Sequence, residues 1–264
     1  MKKITYLIAA LLFAACSTVP LTNRTQITAI PTSEMLSLSN ESYNQVLHES
    51  KLSSNTAYRQ SVSRVGKRIS SAVEQYLTQI GREELLQGYQ WEFSVIESDQ
   101  MNAWCMPGGK IAFYEGIMPV CEDDNGVAVV MAHEIAHAVA KHNNERMTHQ
   151  LGLQMGGLAL SEALSNQKET TQQLAMTVFG VGSQLGIMLP YSRSHENEAD
   201  ELGLYFMAMA GYDPVKAPQF WQRMMAAGGS GVPEFLSTHP DPENRIKHLN
   251  KIMPKALEYY HQTQ

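Results

Sequence analysis

No long basic run occurs in this 264-residue sequence, whose 26 acidic side chains outnumber its 20 basic ones. The electrostatic footprint of a nucleic-acid binder is missing. No period of roughly 20 to 50 residues repeats, so repeat architectures are set aside. Disorder is not the default either, because hydrophobic residues make up 44% of the chain, enough for one large domain or two small ones with a real core. Cysteine is scarce, at three residues: Cys16, Cys105 and Cys121.

The N-terminal apolar run, Ile4 to Ala15 behind Lys2 and Lys3, falls short of the roughly 20 residues that span a bilayer. Residues 1–15 read as a secretory signal peptide. Its end on Ala14, Ala15 and Cys16 resembles a bacterial lipoprotein signal, with Phe13 where that signal usually has Leu. The resemblance implies an exported chain lipidated at Cys16, held to a membrane and facing the periplasm from the outer membrane. Residues 16–40, rich in Ser, Thr and Pro, are expected to be a flexible tether, and 41–264 the folded domain. Cys105 and Cys121 then remain as two thiols in an oxidising compartment, candidates for a disulfide.

Val62, Val65, Ile69, Val73 and Leu77 recur at steps of three and four, which predicts a helix over 58–77. Tyr89 to Ile96 alternates like a strand, and "MNAWCMPGGKIAFYEGIM" reads as a hairpin turned at Pro107, Gly108 and Gly109. Asp123, Asp124 and Asn125 offer caps for a following helix expected to run to about Gln150. From Thr171 to Pro190 there is no charged residue. Gln172, Gln173, Ser183 and Gln184 within that stretch favour a buried or lid-forming helix pair over a membrane span.

The helix after Asp123 contains "AHEIAH". Four residues apart, His133 and His137 leave one helical face and can reach a single metal ion, with Glu134 placed to take a proton from water. A catalytic zinc site takes a third protein ligand. The metzincin pattern fails, because Ala140 and Asn143 stand where Gly and His are required. "SRSHENEADELG" supplies Glu196 as the third ligand, with Asp200 one turn on to accept the N–H of a ligand histidine. His142, His149, His195, Glu198 and Glu201 are expected to face solvent.

Together with "NAWCMPGGKIAFYEGI" and "THPDPENRI", these motifs resemble the gluzincin metallopeptidases of peptidase family M48, such as HtpX and the Oma and LoiP proteases. Ala132 departs from the family's usual Gly. The resemblance implies one zinc per chain on His133, His137 and Glu196, with Glu134 as catalytic base, in the exported lipoprotein branch. His239 and Arg245 belong to a similar H-P-x-x-x-x-R. His239 either donates to the oxyanion or ligates zinc as a fourth donor that holds the enzyme inactive, and Arg245 either anchors the loop or steadies the substrate carbonyl.

Substrate is expected to pair as an extended strand near Asn102, Ala103 and Trp104. The expected fold is α+β, a mostly helical metalloprotease domain with a short sheet beside the active-site helix. The expected activity is endopeptidase cleavage of unfolded or misassembled envelope proteins. The competing expectation is an envelope chaperone that holds clients in the same groove with little proteolysis.

Overall fold

The computed structural model describes residues 16–227 and 233–264; residues 1–15, where a signal peptide is expected, and residues 228–232 lie outside them. Helices carry the fold, with a small sheet beside them, the α+β class expected. Helix α2 (Thr56–Gln79) starts where the Asn55 side-chain Oδ1 accepts from the Tyr58 amide. It buries Val62, Val65, Ile69, Val73 and Leu77 completely, as their spacing predicts. Strand β3 (Glu92–Ile96) pairs in parallel with β5 (Lys110–Tyr114), and β5 pairs antiparallel with β4 (Ala103–Met106). In the order β3-β5-β4, β4 is an edge strand. Gly108 and Gly109 turn the hairpin at φ 89° and 80°, a region that costs glycine nothing.

Helix α3 (Asp124–Val139) is capped by Asp123, whose Oδ1 accepts from the Asn125 and Gly126 amides. It is buried along almost its whole length beneath α6 (Leu189–Met209). Gly203 allows that closeness: a Cβ there would sit 2.9 Å from the His133 backbone nitrogen. Helices α7 (Lys216–Ala227) and α8 (Pro242–His261) close the core with Phe220, Trp221, Leu249 and Ala256.

Four expectations are corrected. The active-site helix does not run to Gln150. It ends at Val139, Lys141 turns into the left-handed region at φ 56°, and a new helix α4 (His142–Ala163) begins.

The segment 16–40 is not a flexible tether. Strands β1 (Cys16–Thr18) and β2 (Thr25–Ile27) pair antiparallel, and α1 (Thr32–Glu49) follows. Val19 is fully buried, and Arg24 is anchored by ion pairs to Glu145 and Glu198. Polar composition hid this because polar contacts hold the segment.

Cys105 and Cys121 are both buried free thiols. Finally, α4 and α5 (Glu169–Ser183) are not a buried pair: Met155, Leu158, Leu174, Val178 and Val181 are exposed, and α5 has no buried residue. A π-helical turn, Gln184–Met188, joins α5 to α6. By length and composition, the continuous helical stretch Glu169–Met209 is apolar enough to cross a membrane.

Candidate active site

Helix α3 presents His133 and His137 side by side, their Nε2 atoms 3.1 Å apart. Glu196 arrives from α6, its Oε2 3.4 Å from His133 Nε2 and its Oε1 3.5 Å from His137 Nε2. His239, at the end of the helical turn Glu234–Thr238, places Nδ1 3.2 Å from His133 Nε2 and 2.9 Å from Glu196 Oε2. One donor atom from each of the four lies within 4.8 Å of all the others. Zinc–ligand bonds of about 2.0–2.1 Å in a tetrahedron put donors roughly 3.3 Å apart, so the observed spacings fit a zinc ion.

Burial and the Arg245 charge pull His133 down, yet Asp200 and Glu196 outweigh them and hold it at about 8. Burial drives His137 well below the usual histidine range. Burial would raise Glu196, but His239 and His137 keep its carboxyl well below the ordinary value. Glu134 is pushed up by burial. Its Oε1 is buried without a hydrogen bond, 3.3 Å from His239 Nε2. A buried carboxylate oxygen left unpaired is costly unless something else occupies the site.

Asp200 stands behind His133, its Oδ1 3.2 Å from Nδ1. Arg245 donates through Nε and Nη2 to Asp200 at 2.7 and 2.5 Å, lies 3.3 Å from Glu196, and stacks 3.6 Å over Trp221. Only 1% exposed, it reaches the His239 carbonyl through Nη1 at 3.5 Å. A cleft of about 510 Å³ opens on Glu134, His137, Glu196 and His239, with Asn102, Ala103 and Trp104 of the sheet edge on one wall. Gln184 and Met188 of the π-helical turn and Leu189 at the start of α6 line the cleft as well. Trp104 itself bonds to the Tyr114 hydroxyl and meets Tyr43 edge-on.

The model of peptidase family M48 matches residues 63–253. The chain belongs to peptidase family M48. This M48 metallopeptidase is 31% identical over 256 residues to the mitochondrial metalloendopeptidase OMA1 of Schizosaccharomyces pombe, covering 93% of this chain and 70% of that protein. It is 36% identical to OMA1 of Saccharomyces cerevisiae, over 68% of this chain and 52% of the relative. It is 28% identical to the beta-barrel assembly-enhancing protease of Escherichia coli, over 64% and 36%. The chain thus spans from about a third to about two-thirds of these relatives' lengths.

In this M48 chain three residues expected in solvent are buried instead: His142 at 2% exposure, His195 at 6% and Glu198 at 6%. The break at Lys141 swings His142 back so that its Nδ1 lies 2.8 Å from His137 Nδ1. His142 Nε2 meets Glu198 Oε2 at 2.9 Å, and His195 stacks on the His142 ring at 4.2 Å while bonding Glu145. Arg24 clasps Glu145 with both terminal nitrogens, at 2.8 and 3.0 Å, and reaches Glu198 through Nε at 2.7 Å. Sequence reasoning missed this cluster because a continuous helix would have sent His142 to the far face. Asn143 and Asn144, poor helix formers that favour ends and turns, were the local hint.

Proposed function

We propose that the chain is a zinc metalloendopeptidase that cleaves unfolded or misassembled polypeptides, bound as extended strands along β4. The convergence of His133, His137 and Glu196 beside Glu134 Oε1, buried without a hydrogen bond, carries this reading. A zinc ion held by these three supplies a Lewis acid that polarises a carbonyl and acidifies water. Glu134 accepts the proton of the attacking water at Oε1 and hands it to the leaving amine, and burial has already moved its carboxyl towards the working pH. Asp200 fixes the His133 ring, and Arg245 fixes Asp200. The free edge of β4 near Asn102, Ala103 and Trp104 offers main-chain hydrogen bonds that grip many sequences. His239, among the candidate metal donors, would be a fourth ligand to a bound ion and would shield it from water.

Export and a lipid on Cys16 complete the proposal, and they rest on the residues around the leader and Cys16. The two yeast relatives are named mitochondrial, so the compartment is read from this chain alone. The test is Glu134→Gln. It should keep about one zinc per chain and lose hydrolysis of unfolded casein by a hundredfold or more, on the order expected for a general base. Wild-type rates in that variant would make the base assignment wrong and favour a chaperone that only holds clients.

A further inference from the structure

The two ligand histidines of α3 look asymmetric at first. His133 has a carboxylate directly behind it in Asp200, whereas His137 has another histidine. That histidine leads to a carboxylate in its turn. From the geometry we infer that Glu198 and His142, locked by Arg24, form a positioning chain behind His137 that does for it what Asp200 does for His133. The inference rests on the zinc reading above.

The proton inventory decides the direction. Glu198 accepts from Arg24 and from the Thr22 hydroxyl and has no proton to give, so His142 Nε2 donates to it across 2.9 Å. A neutral His142 then keeps a lone pair on Nδ1. The 2.8 Å contact between the two Nδ1 atoms needs one proton, and it comes from His137. His137 is thereby fixed as the tautomer whose Nε2 lone pair faces Glu196 and His133, where a metal sits. The opposite assignment, a cationic His142 donating to His137, would put the proton on His137 Nε2 and close it to metal.

The chain is also held rigid. His195 lies flat against His142 with an interplanar angle of 10°, and Glu145 holds His195 at 2.8 Å while sharing Arg24 with Glu198. Three separate stretches of sequence meet here: the β1–β2 connection with Thr22 and Arg24, the start of α4, and α6. Arg24 is a positioning residue at third hand, because it orients Glu198, which orients His142.

The experiment measures zinc affinity of the full chain by competition with a chelator, alongside the melting temperature of the metal-free protein. His142→Phe keeps a flat ring against His195 but offers His137 no acceptor, and zinc affinity should fall by about 10- to 100-fold. His142→Gln restores an acceptor oxygen on a smaller side chain, and should recover most of that loss. A purely structural role would order the variants by melting temperature instead. If the affinities follow the metal-free melting temperatures, or if His142→Phe binds zinc like wild type, the inference fails. Should His142→Phe not fold, Glu198→Gln removes the charge at constant shape and should weaken zinc about tenfold. Unchanged affinity there overturns the chain too. Wild-type protein with no measurable zinc affinity would overturn the zinc reading itself, and this inference with it.

Discussion

At the scale of single residues, the site divides by how far each side chain's role depends on neighbours in sequence. His133, Glu134 and His137 were legible because three residues within one helical turn carry their own geometry. Glu196 and Asp200 were legible for the same reason on α6. His142 was not, because its position depends on the φ of Lys141, and a backbone angle leaves little trace in composition. Arg24 was less legible still, since its partners Glu145 and Glu198 lie 121 and 174 positions away. His239 sits between these extremes: its motif was visible, but its place beside the candidate metal donors and Glu134 was not. With Nδ1 among the metal donors and Nε2 near Glu134, His239→Ala is expected to raise basal cleavage of a quenched unfolded peptide, with zinc content checked in parallel. A fall of about a hundredfold would assign the oxyanion role instead.

At the scale of elements, α3 and α6 act as the two halves of a clamp, and their separation sets the distance from His133 to Glu196. Gly203 is where that separation is decided, because a Cβ there would lie within 3.1 Å of His133 and Ala132 backbone atoms that cannot swing aside. Gly203→Ala is expected to force α6 outwards, at a cost of about 1–3 kcal/mol in stability. Zinc affinity should fall with it, read by urea unfolding and chelator competition. Unaltered affinity would mean that the helices tolerate the shift without moving Glu196. Pattern reasoning found α2, the β4–β5 hairpin and the start of α3, where apolar period or turn chemistry is strong. It failed at α4 and α5, whose apolar side chains satisfy a helical pattern yet face outwards. Surface connections usually tolerate insertions, but the link between Val139 and His142 should not. One added residue would lengthen the turn at Lys141 and displace His142 from His137, which zinc affinity measured by chelator competition would read as a loss.

At the scale of the whole molecule, the N-terminal segment is tied to the catalytic body by a few buried charges. Burial alone would raise Glu145, but hydrogen bonds from His195 and Arg24 outweigh it and hold its carboxyl at about 2, against an ordinary value of 4.5. A carboxylate depressed in this way stabilises the folded state above its unfolded pKa. That contribution is lost as pH falls from about 4.5 towards 2. Glu145→Gln should therefore be less stable than wild type at neutral pH, and the gap should narrow across that acid window in urea titrations. A gap independent of pH would mean that the ion pairs contribute nothing.

The same long-range ties bear on when activity can first arise. His133 meets His239 across 106 positions, and Glu198 meets Arg24 across 174. Contacts of such span are late events in folding, because their loop-closure entropy is repaid only near the native topology. A chain still emerging from the ribosome carries the two α3 histidines before it has Arg245, which holds Asp200 behind His133. The support behind His133 is therefore completed only after the segment bearing Arg245 has been made and has packed against α6.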